Sequence, residues 1–245
     1  MVKNLSLKSD FVFGLIFSKK GNEGILKDFL EAVLDIKITK VEVVREAALE
    51  KISNTNRSGA LDLKVTLDDS RVCDVEMQIR NLHNIEQRTL FYASKLISEQ
   101  LSEGSAFGVI KPVIMINILD YSFINVPEYH SETVTVLKAH RKYEIIPDLT
   151  YHFIELPKYR KQNPDMNNKL DQWLAIIDGM NEELIEMAKK NNENIEKVSI
   201  ELEHLTRRCR SKETCRVAWK IFKRWSNNEI LGWKRRIRKR YEKRH

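Results

Sequence analysis

The amino-acid sequence predicts an α/β fold, and three kinds of pattern along the chain support this prediction. Apolar residues recur at the spacing of one helix face in three segments of the first 103 residues. In three other segments, apolar and polar residues alternate as they do in strands with one buried face. A continuous apolar run, Val113–Leu119, has the length of a buried strand. In chain order, the first 120 residues therefore read as a helical start, three strands, a helix and a strand.

The predicted helices lie at residues 10–19, 23–35 and 84–103. Ser9 can cap the first helix, whose Phe11, Leu15 and Phe17 we expect to face the core. The second helix carries one apolar stripe, formed by Ile25, Leu26, Phe29, Leu30 and Val33. A further helical region opens at residue 168 and continues toward the C-terminus.

The predicted strands lie at residues 38–46, 60–67, 71–79 and 111–119, with further strands at 132–138 and 151–157. Between the second and the third strand stand Asp68, Asp69 and Ser70, a short polar sequence that is typical of a hairpin turn. We divide the chain into a domain of residues 1–160, a helical extension of residues 161–206 and a basic tail of residues 207–245.

The composition excludes several classes of protein and site. Apolar residues make up 42% of the 245 residues, which is enough to build a core and excludes global disorder. Three cysteines can form neither a disulfide framework nor a four-cysteine zinc site. The eight glycines form no phosphate-binding loop, and the six histidines show no ligand spacing. Because no apolar stretch is long enough for a signal peptide or a bilayer span, we expect a soluble, cytoplasmic protein.

Acidic residues of the predicted hairpin are the first candidates for chemistry. A three-residue turn at 68–70 places Leu67 opposite Arg71 and Asp62 opposite Glu76, with Gln78 farther along the same face. Directly opposed residues have Cβ atoms about 4.5–5.5 Å apart, so two carboxylates there repel each other unless a cation or a proton neutralises them. Their oxygen atoms suit a hard divalent cation such as Mg²⁺ or Mn²⁺.

The same two acids also fit a plainer interpretation, in which they belong to a solvated face of the hairpin. A helix of about 20 residues follows the hairpin directly and must pack near this sheet. This helix weakens the plainer interpretation, because a fully solvated face is then not assured.

Three motifs follow one another in this part of the chain. They are Gly59-x-Leu61-Asp62 before the turn, Asp74-x-Glu76-x-Gln78 after it, and Arg88-x-x-x-Tyr92 in the next helix. Further matching segments lie at residues 8–13, 90–96, 117–120 and 154–157. This ordered set resembles the PD-(D/E)XK nuclease superfamily, and within it the recombination-promoting nuclease/putative transposase family. The resemblance covers residues 5 to 200 and implies a restriction-endonuclease-like αβββαβ core, with a mixed sheet flanked by helices.

The resemblance also implies roles for individual residues. Asp62 and Glu76 are the implied catalytic and metal-binding acids, and Gln78 stands where the superfamily more often has lysine. A glutamine can orient a water molecule or a phosphate, but it supplies no positive charge.

Three residues have two interpretations each. Asp10 either approaches the same site from the first helix or complements the dipole of that helix. Arg88 and Tyr92 lie at positions i and i+4 of one helix face and could hold the scissile strand. Tyr92 is equally compatible with a place at the edge of the core.

The function implied by the resemblance is metal-dependent hydrolysis of DNA phosphodiester bonds in recombination or with mobile elements. The implied cofactor is Mg²⁺ or Mn²⁺, and the implied partner is DNA. No membrane association is expected, and a homo-oligomer is compatible with the sequence. The alternative, from a different class, is a catalytically silent DNA-binding or protein-binding accessory of a transposition system.

The tail of residues 207–245 differs from the rest of the chain in charge. It has 16 basic and 3 acidic residues, whereas the first 206 residues have 26 basic and 32 acidic ones. Basic residues interleaved with Trp and Tyr are typical of a nucleic-acid-binding arm. Back-translation with A-rich codons also yields, after a one-base shift, an amphipathic helix that would continue the preceding sequence. The tail is therefore interpreted either as a genuine basic arm or as a frameshift product.

Overall fold

The computed structural model describes residues 5–44, 63–68 and 70–211. Its helices are α1 Asp10–Phe17, α2 Glu23–Leu34, α3 Ile85–Ser98, α4 Leu156–Tyr159, α5 Lys169–Asp178, α6 Glu182–Asn191 and α7 Glu193–Ser211. Its strands are β1 Val41–Val43, β2 Leu63–Leu67, β3 Val72–Gln78, β4 Val113–Leu119, β5 His130–Thr133 and β6 Leu149–Glu155. This order confirms the predicted α/β fold.

The six strands form one mixed sheet in the order β1-β2-β3-β4-β6-β5. The strand pairs β1–β2, β2–β3 and β5–β6 are antiparallel, whereas β3–β4 and β4–β6 are parallel. The carboxyl ends of β3, β4 and β6 therefore meet at the same edge of the sheet, where side chains of different strands can combine into one site.

The core face predicted for helix α1 is right at Phe17 and wrong at Leu15, while the side chain of Phe11 lies outside the described residues. Val12, Phe13, Ile16 and Phe17 are buried, whereas Leu15 is 37% exposed. The buried positions follow the spacing i, i+1, i+4, i+5, which leaves position 15 on the outer face of this eight-residue helix. Ser9 stands at the N-cap, but its side chain makes no capping hydrogen bond.

The apolar stripe of α2 is buried as predicted. One of its residues, Phe29, joins Phe13, Phe17 and Trp173 of α5 in an aromatic cluster with neighbouring ring centroids 4.3–5.9 Å apart. These large side chains are almost completely excluded from solvent. Burial of such rings supplies a large part of the apolar area that stabilises a domain.

Several predicted elements have other bounds than expected. Strand β1 begins at Val41 rather than at residue 38, and the strand predicted at 151–157 ends at Glu155 because helix α4 begins at Leu156. Helix α3 ends at Ser98 rather than at residue 103, and the Gln100 side chain exchanges hydrogen bonds with the backbone of Lys111 instead. Strand β5 overlaps the strand predicted at 132–138 only at its start, because the chain leaves the sheet after Thr133.

Contacts divide the chain into two units. The first, residues 6–201, contains the sheet. The second comprises residues 1–5 and 202–245, and within it the Leu5 backbone N–H donates to Thr206 Oγ1 over 3.3 Å. Helix α7 continues the chain to Ser211, while the rest of the basic tail lies outside the described residues. The domain division at residues 160 and 206 and the frameshift interpretation stay predictions.

Candidate functional site

The hairpin of β2 and β3 has the predicted register. Leu63 lies opposite Val75 and Lys64 opposite Asp74, and the Leu67 backbone N–H donates to Arg71 O over 2.9 Å. Asp62, which the sequence places opposite Glu76, lies outside the described residues.

The polar face of β3 is buried rather than solvated. Asp74 and Glu76 are 0% exposed, and Gln78 is 8% exposed. Helix α3 covers this face, packing Tyr92 and Leu96 with apolar residues of β3 and β4. The interpretation of these residues as a wet hairpin surface is therefore wrong, because the helix that follows the hairpin lies across it.

Glu76 is held by the side chain of Arg88 from α3. Arg88 Nε donates to Glu76 Oε2 over 2.9 Å, and Nη2 donates to Oε1 over 3.4 Å. The Gln78 amide donates to the same Oε2 over 3.3 Å. The structure thus brings three predicted site residues together, and it gives the buried carboxylate a cation that the sequence analysis did not assign to it.

Tyr92 supports this arrangement one helical turn away. The Arg88 guanidinium carbon lies 5.1 Å from the centroid of the Tyr92 ring, and Tyr92 itself is 5% exposed. Of its two interpretations, the place at the edge of the core is the one that the packing shows. Asp10 begins α1 and is partly buried, and its approach to Glu76 stays a prediction.

Two further residues beside Glu76 were missed by sequence reasoning. Asp74 precedes Glu76 on the same strand face, and Asn117 of β4 lies opposite Glu76 in the parallel register. Both carboxyl oxygens of Asp74 and the amide oxygen of Asn117 are buried, and none of the described residues gives them a hydrogen bond. Such oxygens cost free energy unless a donor or a cation reaches them. The asparagine inside an otherwise apolar strand was the sequence signal for this position.

The environment of Asp74 favours its neutral form. Burial raises the pKa of the Asp74 carboxyl well above its usual range, and the charge of Glu76 adds to this shift. The Asn117 amide is oriented by its donors, since Nδ2 donates to Thr89 Oγ1 over 3.2 Å and to His152 O over 3.3 Å. The site is therefore rich in oxygen acceptors on a rigid strand pair.

A charged network continues from the site along the edge where the parallel strands end. The Asp120 backbone N–H donates to Gln78 O over 2.9 Å, which ties β4 to the end of β3. The carboxylate of Asp120 pairs with Lys8 and Arg160, and both of these cations also pair with the buried Asp178 of α5. The segment before α1 is thereby fixed at this edge.

Glu155 fastens the segment that follows β4. Its fully buried carboxylate accepts the Phe123 N–H over 2.5 Å and the Lys158 ammonium over 2.6 Å, while Lys158 also donates to Ile124 O over 2.7 Å. Burial raises the pKa of the neighbouring Tyr121 hydroxyl to about 12, and the charge of Arg88 opposes this shift. The segment therefore forms a fixed wall beside the Glu76–Arg88 pair.

The chemistry of the donor set fits a hard divalent cation. Carboxylate and amide oxygens are the ligands that such cations prefer, and the acceptors around Glu76 include three to which none of the described residues gives a hydrogen bond. Within residues 5–44, 63–68 and 70–211, no group of three or more His, Cys, Asp or Glu side chains could hold a metal ion. The second implied acidic ligand, Asp62, lies outside that part of the chain.

Two of the histidines, His130 and His152, contact each other and have a structural role. His130 of β5 and His152 of β6 join ring nitrogens 3.1 Å apart. Burial lowers the pKa of both imidazoles to about 4, so the pair is neutral at physiological pH.

None of the helices in the described part of the chain is long and apolar enough to cross a membrane.

The family model for the PD-(D/E)XK nuclease family transposases matches residues 7–227. The chain belongs to this family. The match confirms the resemblance of the hairpin motifs and includes the first part of the basic tail. No curated protein and no solved structure matches the chain. Membership in the PD-(D/E)XK nuclease family transposases supports a nuclease or transposase-associated role, with DNA as the substrate that a nuclease family implies.

Proposed function

We propose that this PD-(D/E)XK family member is a divalent-metal-dependent DNA endonuclease whose site is centred on Glu76. The observation that carries the proposal is the completely buried carboxylate of Glu76 on β3, the residue to which the resemblance gives the role of a metal-binding acid. If the observed register of β2 and β3 continues by one residue beyond Leu63, Asp62 lies opposite Glu76. The pair then supplies the two acidic ligands that Mg²⁺ or Mn²⁺ needs.

The chain's own residues have distinct tasks in this reaction. Asp62 and Glu76 hold the cation, which when bound activates water and neutralises charge on the phosphate. Gln78 orients the attacking water or a phosphate oxygen through its amide. Arg88 neutralises Glu76 in the structure and, when the carboxylate turns to the cation, becomes available to the phosphate.

The biological setting that we propose is DNA recombination or the movement of mobile elements, in the cytoplasm. A homo-oligomer is compatible with this setting, since two copies can cut two strands. Family membership supports the transposase association, and the role in recombination goes beyond it as a proposal.

A second function is favoured by one specific observation. Arg88 donates two hydrogen bonds to Glu76 and neutralises its charge. Such a pair is stable without a metal ion, as expected for a site that binds none. On this alternative, the protein is a catalytically silent DNA-binding or protein-binding accessory of a transposition system. The two functions differ in whether the purified protein breaks DNA.

The test is incubation of the full-length protein with supercoiled plasmid in Mg²⁺, in Mn²⁺ and in EDTA. We expect conversion to nicked circles with either cation and none in EDTA, because the acids need a cation to act. An unchanged plasmid in both cations would favour the accessory function over the endonuclease.

A further inference from the structure

The chain between β5 and β6 folds into an exposed ribbon, which we call the arm and define as residues 134–146. The Leu137 N–H donates to Tyr143 O over 3.1 Å, and the Ile145 N–H donates to Thr135 O over 2.9 Å. A bridge between Val136 and Glu144 completes the pairing. The arm is therefore a short antiparallel ribbon that projects from an edge strand of the sheet.

The tip of the arm concentrates positive charge. Lys138, Arg141 and Lys142 are exposed, and Glu144 is the single acidic residue of the arm. Among the described residues, no ion pair engages any of these three cations. They stand on a chain whose first 206 residues carry more acids than bases, so the arm is a local basic site on an acidic body.

Apolar side chains on the arm are exposed as well. Five of them are 42–54% exposed, namely Val134, Leu137, Tyr143, Ile145 and Ile146. The Lys142 ammonium lies 5.2 Å from the centroid of the Tyr143 ring, and the His140 ring packs on the same tyrosine. An isolated two-stranded ribbon is only marginally stable in water, so a partner that covers it would stabilise it.

We propose that the arm is a DNA-binding element that enters a groove of the substrate duplex and places its basic tip on the phosphates. This inference rests on the proposed function, because it takes DNA as the substrate. The major groove, about 12 Å wide, admits a two-stranded ribbon. Three basic residues and one acidic residue favour a polyanion as the binding partner of the arm. A second copy of the chain is less suitable, because a symmetric contact would bring two basic tips together and they would repel each other.

The distance from the arm to Glu76 suits one continuous duplex. The base of the arm, at Leu149, lies level with Val72 across β4, two strands away from β3. Four residues along β3 and two strand spacings give a separation of roughly 15 Å. The basic tip lies beyond Leu149, on the side of the amino-terminal ends of the parallel strands, so a duplex that contacts both Glu76 and the tip must span more than about five base pairs.

The test compares DNA binding by the full-length protein and a triple variant, Lys138→Gln/Arg141→Gln/Lys142→Gln. Affinity for a duplex of about 30 base pairs is measured by fluorescence anisotropy in EDTA, over a series of salt concentrations. Each lost phosphate contact lowers the slope of log affinity against log salt by about 0.9, so we expect a slope smaller by roughly two to three. Affinity at about 0.1 M salt should fall at least roughly tenfold.

A matched control removes the same charge elsewhere. Lys20→Gln/Lys37→Gln/Lys190→Gln changes three exposed lysines, two in separate loops and one on α6, and we expect its slope to change by less than about one. The basic tail is present in every protein, so the difference between the two variants reports the arm. Equal slopes for the two triple variants would overturn the proposal, provided that both variants melt like the wild type.

The outcome is independent of catalysis, because EDTA suppresses cleavage. If the wild type nicks plasmid and the arm variant has the same salt slope as the wild type, the endonuclease function stands and the DNA-binding role of the arm is wrong. If the wild type does not nick plasmid and the arm variant has a smaller salt slope, the arm binds DNA and the endonuclease function is wrong. A wild-type dimer that the arm variant dissociates, with unchanged slope, assigns the arm to a second copy and overturns the proposal.

Discussion

Replacing Glu76 by glutamine is expected to lower the rate of cation-dependent plasmid nicking by about 10²- to 10³-fold. The variant keeps the shape of the side chain but loses the negative charge that holds a divalent cation. Losing one preorganised charged group of a catalytic site commonly costs about 10²- to 10³-fold in rate. The measurement is the initial rate of nicking at saturating Mg²⁺, with circular dichroism confirming that the variant is folded.

A matched control for this variant is Glu99→Gln. Glu99 directly follows α3, and its carboxylate accepts from Lys64 of β2 over 2.7 Å, so the substitution removes an ion pair from the same hairpin. We expect Glu99→Gln to nick plasmid at the wild-type rate within about threefold, since exposed ion pairs contribute little. Equal losses in Glu76→Gln and Glu99→Gln would mean that the hairpin, not the acid, limits the reaction.

Replacing Arg88 by leucine is expected to lower the free energy of unfolding by about 3 kcal/mol at neutral pH. Glu76 is completely buried, and removing its cation leaves an uncompensated charge in the interior, which is far more costly than losing a surface pair. Urea unfolding of the wild type and of the variant in EDTA at pH 7.5 measures this loss.

The Glu76→Gln background supplies the control for the arginine. With a neutral side chain at position 76, the leucine substitution should cost about 1–2 kcal/mol less than in the wild type. Costs that are equal in the two backgrounds would show that Arg88 stabilises the protein through other contacts than its pair with Glu76.

The hairpin shows how far local patterns reach. The alternation in β2 and β3 and the polar turn between them predicted the register, because a turn of fixed length allows only one alignment of the two strands. The stripe of α2 was also predictable, since five of its apolar residues recur at the spacing of one helix face and all five are buried. Helix α1 is apolar nearly all round, so its sequence gave no unique face and Leu15 was assigned wrongly.

The charge balance of the site depends on contacts that no local pattern shows. Arg88 reaches Glu76 because α3 crosses the sheet, and the pair joins two elements 12 residues apart in sequence. The paired acids were expected to need a cation or a proton, and in the structure the guanidinium of Arg88 is a cation that neutralises Glu76. Asp74 and Asn117 became candidates only once the packing of α3 on β3 and β4 showed that their oxygens are buried.

If Asp62 and Glu76 together bind a divalent cation, Mn²⁺ raises the melting temperature of the folded protein. At a Mn²⁺ concentration of 100 times Kd, binding to the folded state adds about 2.7 kcal/mol, which should raise the Tm by roughly 5–10 °C. The account predicts this rise for the wild type and its loss in both Asp62→Asn and Glu76→Gln. A wild-type Tm that does not respond to Mn²⁺, or an equal rise in the two variants, would contradict it.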